Sequence, residues 1–175
     1  MFGTGGGPGP GQPFGVYWPA LVDSDLVPME VVVDGKLTVV DGTPPLDGPE
    51  ILAEPPDLPA VPKGPTRLVP LGALFGTRSG DKGHNANLGI FARSEEAYVW
   101  LAEYLSIGML KALMPEAAER NIDRYELPNL LSLNFIFHGL LEEGVAASTR
   151  QDPQAKALGE YLRAKLAEVP KVLLD

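Results

Sequence analysis

Residues 77–93 read Thr-Arg-Ser-Gly-Asp-Lys-Gly-His-Asn-Ala-Asn-Leu-Gly-Ile-Phe-Ala-Arg, and the way this stretch is parsed decides the rest. Its first half is polar and glycine-rich. From Ala86 to Ala92, apolar residues alternate with polar or small ones, as in a half-buried strand. Before it lie Arg67-Leu-Val-Pro-Leu71 and Ala73-Leu-Phe-Gly76, a first strand in which Pro70 is tolerable near an edge or a bulge. The expectation is a polar loop held between two strands. That loop carries Arg78, Ser79, Asp81, Lys82, His84, Asn85 and Asn87, more functional groups than a simple turn requires.

Downstream, Ser94 is placed to cap a helix. Glu95 and Glu96 fall in its favourable first turn, and Ala97, Trp100, Leu101, Tyr104 and Leu105 recur at helical spacing. Ser106 caps a second helix through Leu113 and Met114, ended by Pro115. Tyr125–Asn129 and Leu131–Phe137 are strand candidates. In the second, Leu131, Leu133, Phe135 and Phe137 share one face, and Ser132, Asn134, Ile136 and His138 share the other. Gly144 to Arg150 is expected as a strand, and Pro153 to about Val169 as a helix with Asp152 at its N-cap. The order β-loop-β-α-α-β-β-β-α predicts an α+β sandwich, a small sheet with helices on one face.

Upstream, residues 1–15 hold seven glycines and three prolines, a density at which no core forms. Phe14, Val16, Tyr17, Trp18 and Leu21 follow; such large apolar residues either fold back on the chain's own domain or dock on another polypeptide. Met29-Glu-Val-Val-Val33, Asp34-Gly35 and Lys36-Leu-Thr-Val-Val40 read as a β-hairpin with a type I′ turn. Residues 42–66 contain eight prolines and read as a semi-rigid spacer. The expected organisation is a docking arm over 1–28, a hairpin over 29–41, a proline-rich linker over 42–66 and an α+β domain over 67–175.

Composition narrows the chemistry. The chain has no cysteine, which excludes disulfides and thiolate sites. His84 and His138 are its two histidines, and no metal-ligand spacing surrounds them. Net charge is −9, with nine acids and two bases in residues 23–66 but fourteen acids and twelve bases in 67–175. With no basic stripe to neutralise phosphates, the chain is not expected to bind nucleic acid. No apolar run approaches the roughly 20 residues needed to span a bilayer, and no leader pattern opens the chain, so a cytoplasmic protein is expected.

Within the polar stretch, Gly80 and Gly83 permit close backbone approach, and Arg78 and Lys82 add positive charge, so a carboxylate or phosphate is the natural guest. Neither a G-x-x-x-x-G-K-[ST] nor a G-x-G-x-x-G spacing is present. A tight strand connection, with Asp81 paired to Lys82 or Arg78, accounts for the same residues. If the stretch is catalytic, His84 is the proton-transfer group, Asp81 orients it and Lys82 holds an anion. Arg78, Ser79, Gly80, Gly83, Asn85 and Asn87 are then ligand-binding candidates, joined by Asn134 and His138 from the later strand. No G-x-S-x-G elbow supports Ser79 as a nucleophile.

Arg78-Ser-Gly-Asp-Lys-Gly83, Asn87-Leu-Gly-Ile-Phe-Ala-Arg93, Tyr125-Glu-Leu-Pro-Asn129, Asn134-Phe135, and Asp152 with Gln154 and Lys156 together resemble the C-terminal domain of the acyclic terpene utilisation (AtuA-like) family. The resemblance covers about 67–165, and residues 1–66, with Phe14-Gly-Val-Tyr-Trp-Pro19, resemble the segment joining that domain to the family's large N-terminal domain, which is absent here. It implies a ferredoxin-like domain in the breakdown of branched acyl chains as CoA thioesters, with no established reaction and no cofactor specified. It further implies a small subunit whose arm docks on a separately encoded large subunit in a hetero-oligomer. A self-sufficient hydratase or lyase acting on an acyl-CoA or carboxylate, and an anion-binding regulatory module, are the other two expectations.

Overall fold

The computed structural model describes residues 9–11, 13, 15–16, 19–40, 54 and 56–174. Of the expected arm and linker, Phe14, Tyr17, Trp18, residues 42–53 and Pro55 lie outside the described residues. The chain divides into two compact units, Trp18–Glu54 and the rest.

In the smaller unit, β1 (Met29–Val33) and β2 (Lys36–Val40) pair antiparallel from Met29↔Val40 to Val33↔Lys36. Asp34 and Gly35 both have positive φ, 50° and 75°, as a type I′ turn demands. Pairing and pleat put Met29, Val31, Val33 and Val40 on one face and Val32, Leu37 and Val39 on the other. Every residue of both strands is exposed.

The larger unit begins with β3 (Thr66–Pro70), followed by β4 (Gly76–Lys82) and β5 (Asn85–Phe91). Then come α1 (Glu95–Tyr104), α2 (Ile107–Leu113), β6 (Ile122–Leu127) and β7 (Ser132–Phe137), and finally α3 (Leu158–Arg163) and β8 (Leu166–Pro170). Four strands form an antiparallel sheet in the order β4-β5-β7-β6. From β5 to α3 the elements follow the β-α-β-β-α sequence of a ferredoxin-like motif, with α1 and α2 together in the place of its first helix. The fourth place in the sheet is filled by β4, which precedes β5, while β8 pairs with β3 in a separate ribbon.

The expected α+β class, the two helices and their caps are observed: Ser94 Oγ accepts from Ala97 N–H at 3.2 Å, and Ser106 Oγ from Met109 N–H at 3.1 Å. Four expectations are corrected. The polar stretch is not a loop, since residues 76–82 form edge strand β4 and only Gly83 and His84 turn. Gly83, with φ 64°, occupies the first turn position, where glycine suits a type II′ connection. Residues 144–150 form turns rather than a strand, with Gly144 at φ 96° and its carbonyl accepting from Ala147 and Ser148 N–H.

The long terminal helix is not formed. Asp152 Oδ1 and Oδ2 accept from Lys156 and Ala157 N–H at 2.8 and 2.9 Å around Ala155, whose φ is 53°, so a turn precedes the short α3. Leu166–Pro170 is then drawn into pairing with β3, with Ala167 and Val169 buried. Finally, the strand expected over Tyr125–Asn129 is displaced to β6. Pro128, which cannot donate to a ladder, opens a helical turn instead.

One face of the four-stranded sheet carries the core. Ala86, Leu88 and Ile90 of β5 and Leu133, Phe135 and Phe137 of β7 cluster with Tyr98, Leu101, Leu105, Leu110, Leu158 and Leu162. Truncating a fully buried leucine here costs about 2–5 kcal/mol. Arg124 lies on the same face. Its Nε donates to Leu105 O at 3.1 Å and its Nη2 to Ala102 O at 2.7 Å, satisfying carbonyls that end α1 without intrahelical partners. Burial pushes the Tyr98 and Tyr104 phenols above their ordinary value; at Tyr98 the Glu126 charge adds to this and the Arg124 charge opposes it.

Candidate functional site

The opposite face of the sheet gathers most of the chemistry-bearing residues. Strand register lines up Arg78, Gly89, Asn134 and Tyr125 in one row, and Gly80, Asn87, Ile136 and Asp123 in the next. Lys82 and Asn85 close the β4–β5 end, while His138 follows β7. The two glycines are diagonal neighbours; no side chain comes within 4 Å of the Cβ position over Gly89, whereas the Lys156 and Lys82 ammonium groups reach the position over Gly80.

Two hydrogen-bonded groups span this face. Asn87 Nδ2 donates to Asn134 Oδ1 at 3.3 Å, which orients both amides and leaves the Asn134 Nδ2 donor available. On the β6 side, Asp123 Oδ2 accepts from His138 Nε2 at 2.7 Å and from the Tyr125 hydroxyl at 3.4 Å. Because a carboxylate only accepts, His138 carries its proton on Nε2 in that pair.

The face is also electrostatically uneven. Arg78, Lys82 and Lys156 are exposed, and the described ion pairs, Arg124–Glu126, His138–Asp123, Arg150–Glu116 and Arg163–Glu160, engage none of them. Lys156 Nζ lies 3.1 Å from where a Cβ of Gly80 would stand. A cationic patch with no acid partner among the described residues is notable on a chain of net charge −9.

Other expected site residues sit elsewhere. Ser79 alternates to the helix-covered face, where its buried Oγ accepts from Gly159 N–H at 3.0 Å and donates to Lys156 O at 3.2 Å. Asp81 also points to that face, and no described hydrogen bond joins its side chain to His84, Arg78 or Lys82. Lys82 Nζ donates instead to the Asp81 main-chain carbonyl at 2.8 Å. His84, in the exposed turn, makes its contact through Nδ1 to Glu142 O at 2.5 Å, and its own carbonyl accepts from Leu141 N–H. Nε2 is left as the basic atom of its neutral ring. Asn85 Oδ1 accepts from Gly139 N–H at 2.9 Å, so this side chain ties the turn to the end of β7.

Lys156, Asp123 and Tyr125 also stand on this face, although no local sequence signal marks them. Lys156 was masked by the helix expected across it. Asp123 and Tyr125 were findable only once β6 was registered against β7, which puts them opposite Ile136 and Asn134. Among the described residues, no three His, Cys, Asp or Glu side chains converge as a metal ion needs. A cleft of about 460 Å³ lies away from this face, lined by Glu116, Arg150, Asp152 and Tyr161. There Arg150 is already paired with Glu116 at 2.9 Å. Among the described residues, the polar sheet face carries exposed Arg78, Lys82 and Tyr125 beside half-buried Asn87, Asn134 and Asp123, groups able to hold an anion or the polar groups of a covering partner. Among the described residues, no helix is long and apolar enough to cross a membrane.

A family model described as the AtuA ferredoxin-like domain matches residues 69–167, more than half of the chain and the whole span from β4 to α3. No curated protein and no solved structure matches the chain.

Proposed function

The chain belongs to the AtuA ferredoxin-like domain family, and from that premise we propose that it is the small subunit of a split AtuA-like complex. Its role is to complete or stabilise a site on a separately encoded large AtuA-type subunit in a cytoplasmic hetero-oligomer. The substrates of that complex are branched or acyclic terpenoid acyl-CoA compounds.

The observation that carries this reading is the hairpin. It has Met29, Val31, Val33 and Val40 on one face and Val32, Leu37 and Val39 on the other, all exposed. A two-stranded ribbon is marginal in water by itself, and one that is apolar on both faces has the pattern of strands covered from both sides. Adding its strands to a partner's sheet would cover both faces and pair its free edges. The polar sheet face then supplies half of a site whose other half comes from the partner.

Co-expression with a large AtuA-type subunit tests the proposal. The two polypeptides should co-purify through gel filtration, and Val32→Lys with Val39→Lys should separate them while the domain stays folded. A monomeric chain with a protected arm, and a large subunit that never co-elutes, would overturn it. The self-sufficient hydratase or lyase reading draws its support from the free Nε2 of His84 alone, since the expected orienting contact from Asp81 is not made.

A further inference from the structure

Glycine in a strand interior costs stability and commonly marks a place where another group approaches the backbone closely. Gly80, buried in the middle of β4, is such a place. A Cβ there would meet Lys156 Nζ at 3.1 Å and Lys82 Nζ at 4.0 Å. Two ammonium groups therefore stand over one point of the sheet, within about 7 Å of each other. Like charges so placed repel unless something negative lies between them. Neither lysine takes part in a described ion pair.

The surroundings supply donors. Arg78 lies two residues before Gly80 on the same face, Asn87 lies directly across from it, and the Nδ2 of Asn134 is uncommitted. Lys156 reaches this position from a fixed backbone, because its carbonyl accepts from Ser79 Oγ at 3.2 Å and its N–H donates to Asp152 Oδ1 at 2.8 Å. We propose that Lys82 and Lys156 form a clamp for an oxyanion, a phosphate or a carboxylate, seated over Gly80 and bordered by Arg78, Asn87 and Asn134. Two oxygens of one such group, each about 2.8 Å from its ammonium, bridge a gap of this width. Glycine at position 80 is then required because any side chain would occupy the anion's seat. The site lies wholly within the domain and does not depend on the subunit reading.

Titration of the full chain with inorganic phosphate and with acetate at low ionic strength, followed by backbone amide NMR, tests the clamp. Saturable shifts are expected at residues 79–82, 87 and 155–157. Lys82→Gln and Lys156→Gln should each weaken binding about tenfold, as loss of one charge-assisted hydrogen bond does. Gly80→Ala should weaken it while amide dispersion stays native, and Lys111→Gln on α2 should change nothing. Saturation by phosphate and coenzyme A, but not by acetate, assigns a phosphate-bearing ligand; saturation by acetate with no response to phosphate assigns a carboxylate. Unchanged binding in both lysine variants, shifts confined to other residues, or no saturable shift with either anion would overturn the proposal. Because the chain is measured alone, failure of co-purification with a large subunit leaves this result standing.

Discussion

Replacing Ser79 by alanine separates a structural role from a binding one at the centre of the polar stretch. The α3 helix begins after Ala157, which has no side-chain oxygen to cap it, and Gly159 N–H is one of the first-turn donors without an intrahelical acceptor. Ser79 Oγ, reaching from β4, takes that donor at 3.0 Å and gives its own proton to Lys156 O at 3.2 Å. Removing the hydroxyl strands a buried N–H, which costs about 1–3 kcal/mol, and deprives a carbonyl of a bond worth about 0.5–1.5 kcal/mol. Ser79→Ala should therefore lose about 2–3 kcal/mol, a fall of roughly 10 °C or more in Tm for a domain of this size. Urea unfolding followed by circular dichroism measures it, with the midpoint lowered and the slope unchanged. Arg78→Ala, one residue away on the exposed side, should stay within about 0.5 kcal/mol of the parent. A Ser79→Ala loss under about 0.5 kcal/mol, or an equal loss in Arg78→Ala, would refute the assignment of Ser79 to the packing of α3.

Three further outcomes are expected. Gly159→Ala places a methyl 2.6 Å from Thr77 Oγ1 and 2.9 Å from Thr77 Cβ, so overpacking should cost about 1–3 kcal/mol in the same unfolding assay. Arg124→Met keeps the aliphatic stem but removes the donors to Ala102 O and Leu105 O, and hydrogen exchange at the C-terminal turn of α1 should accelerate about tenfold or more. The buried Tyr98 hydroxyl has no hydrogen-bond partner, so Tyr98→Phe should be neutral or slightly stabilising at pH 7. Because its phenol is raised above 10.0 in the folded state, the fold favours the protonated form. That contribution is complete below about pH 10 and is lost as pH climbs toward the folded value. Alkaline unfolding should be less steep in Tyr98→Phe, with a residual slope from Tyr104, which is raised by burial as well.

Segments that announce themselves through side-chain period or cap chemistry were legible in the sequence. The hairpin turn at Asp34-Gly35, the caps at Ser94 and Ser106, and the two-faced pattern of β7 are all local signals, and each appears where expected. What was not legible is set by tertiary pairing. Leu166–Pro170 continues the apolar spacing of α3, yet it is extended because β3 offers it a ladder partner 96 to 104 residues away in sequence, from Pro70↔Leu166 to Thr66↔Pro170. Edge strand β4 hides for the opposite reason. Its inward residues, Thr77, Ser79 and Asp81, are polar, so no apolar alternation marks it, and only register against β5 reveals it. Lys156 is hidden for a related reason, because helical apolar spacing runs across the turn that precedes α3.

Once β4 is recognised as a strand, the meaning of Arg78-Ser-Gly-Asp-Lys-Gly83 changes. The run is two sets of residues interleaved with period two. Ser79, with Thr77 and Asp81 on either side, faces the helices, and there Ser79 holds the start of α3. Arg78, Gly80 and Lys82 face away, where the cations stand over a glycine that leaves them room. Substitutions at odd positions should therefore register in stability, and substitutions at even positions in anion binding. The Ser79 hydroxyl links the two, because it fixes the carbonyl of the residue whose ammonium lies across the strand. Its loss should also loosen Lys156, so Ser79→Ala should weaken phosphate binding less than Lys156→Gln does, and only alongside its fall in stability. If phosphate bound Ser79→Ala and the parent chain equally while Lys156→Gln abolished binding, the clamp would not depend on the anchored backbone, and the coupling of the two faces would be wrong.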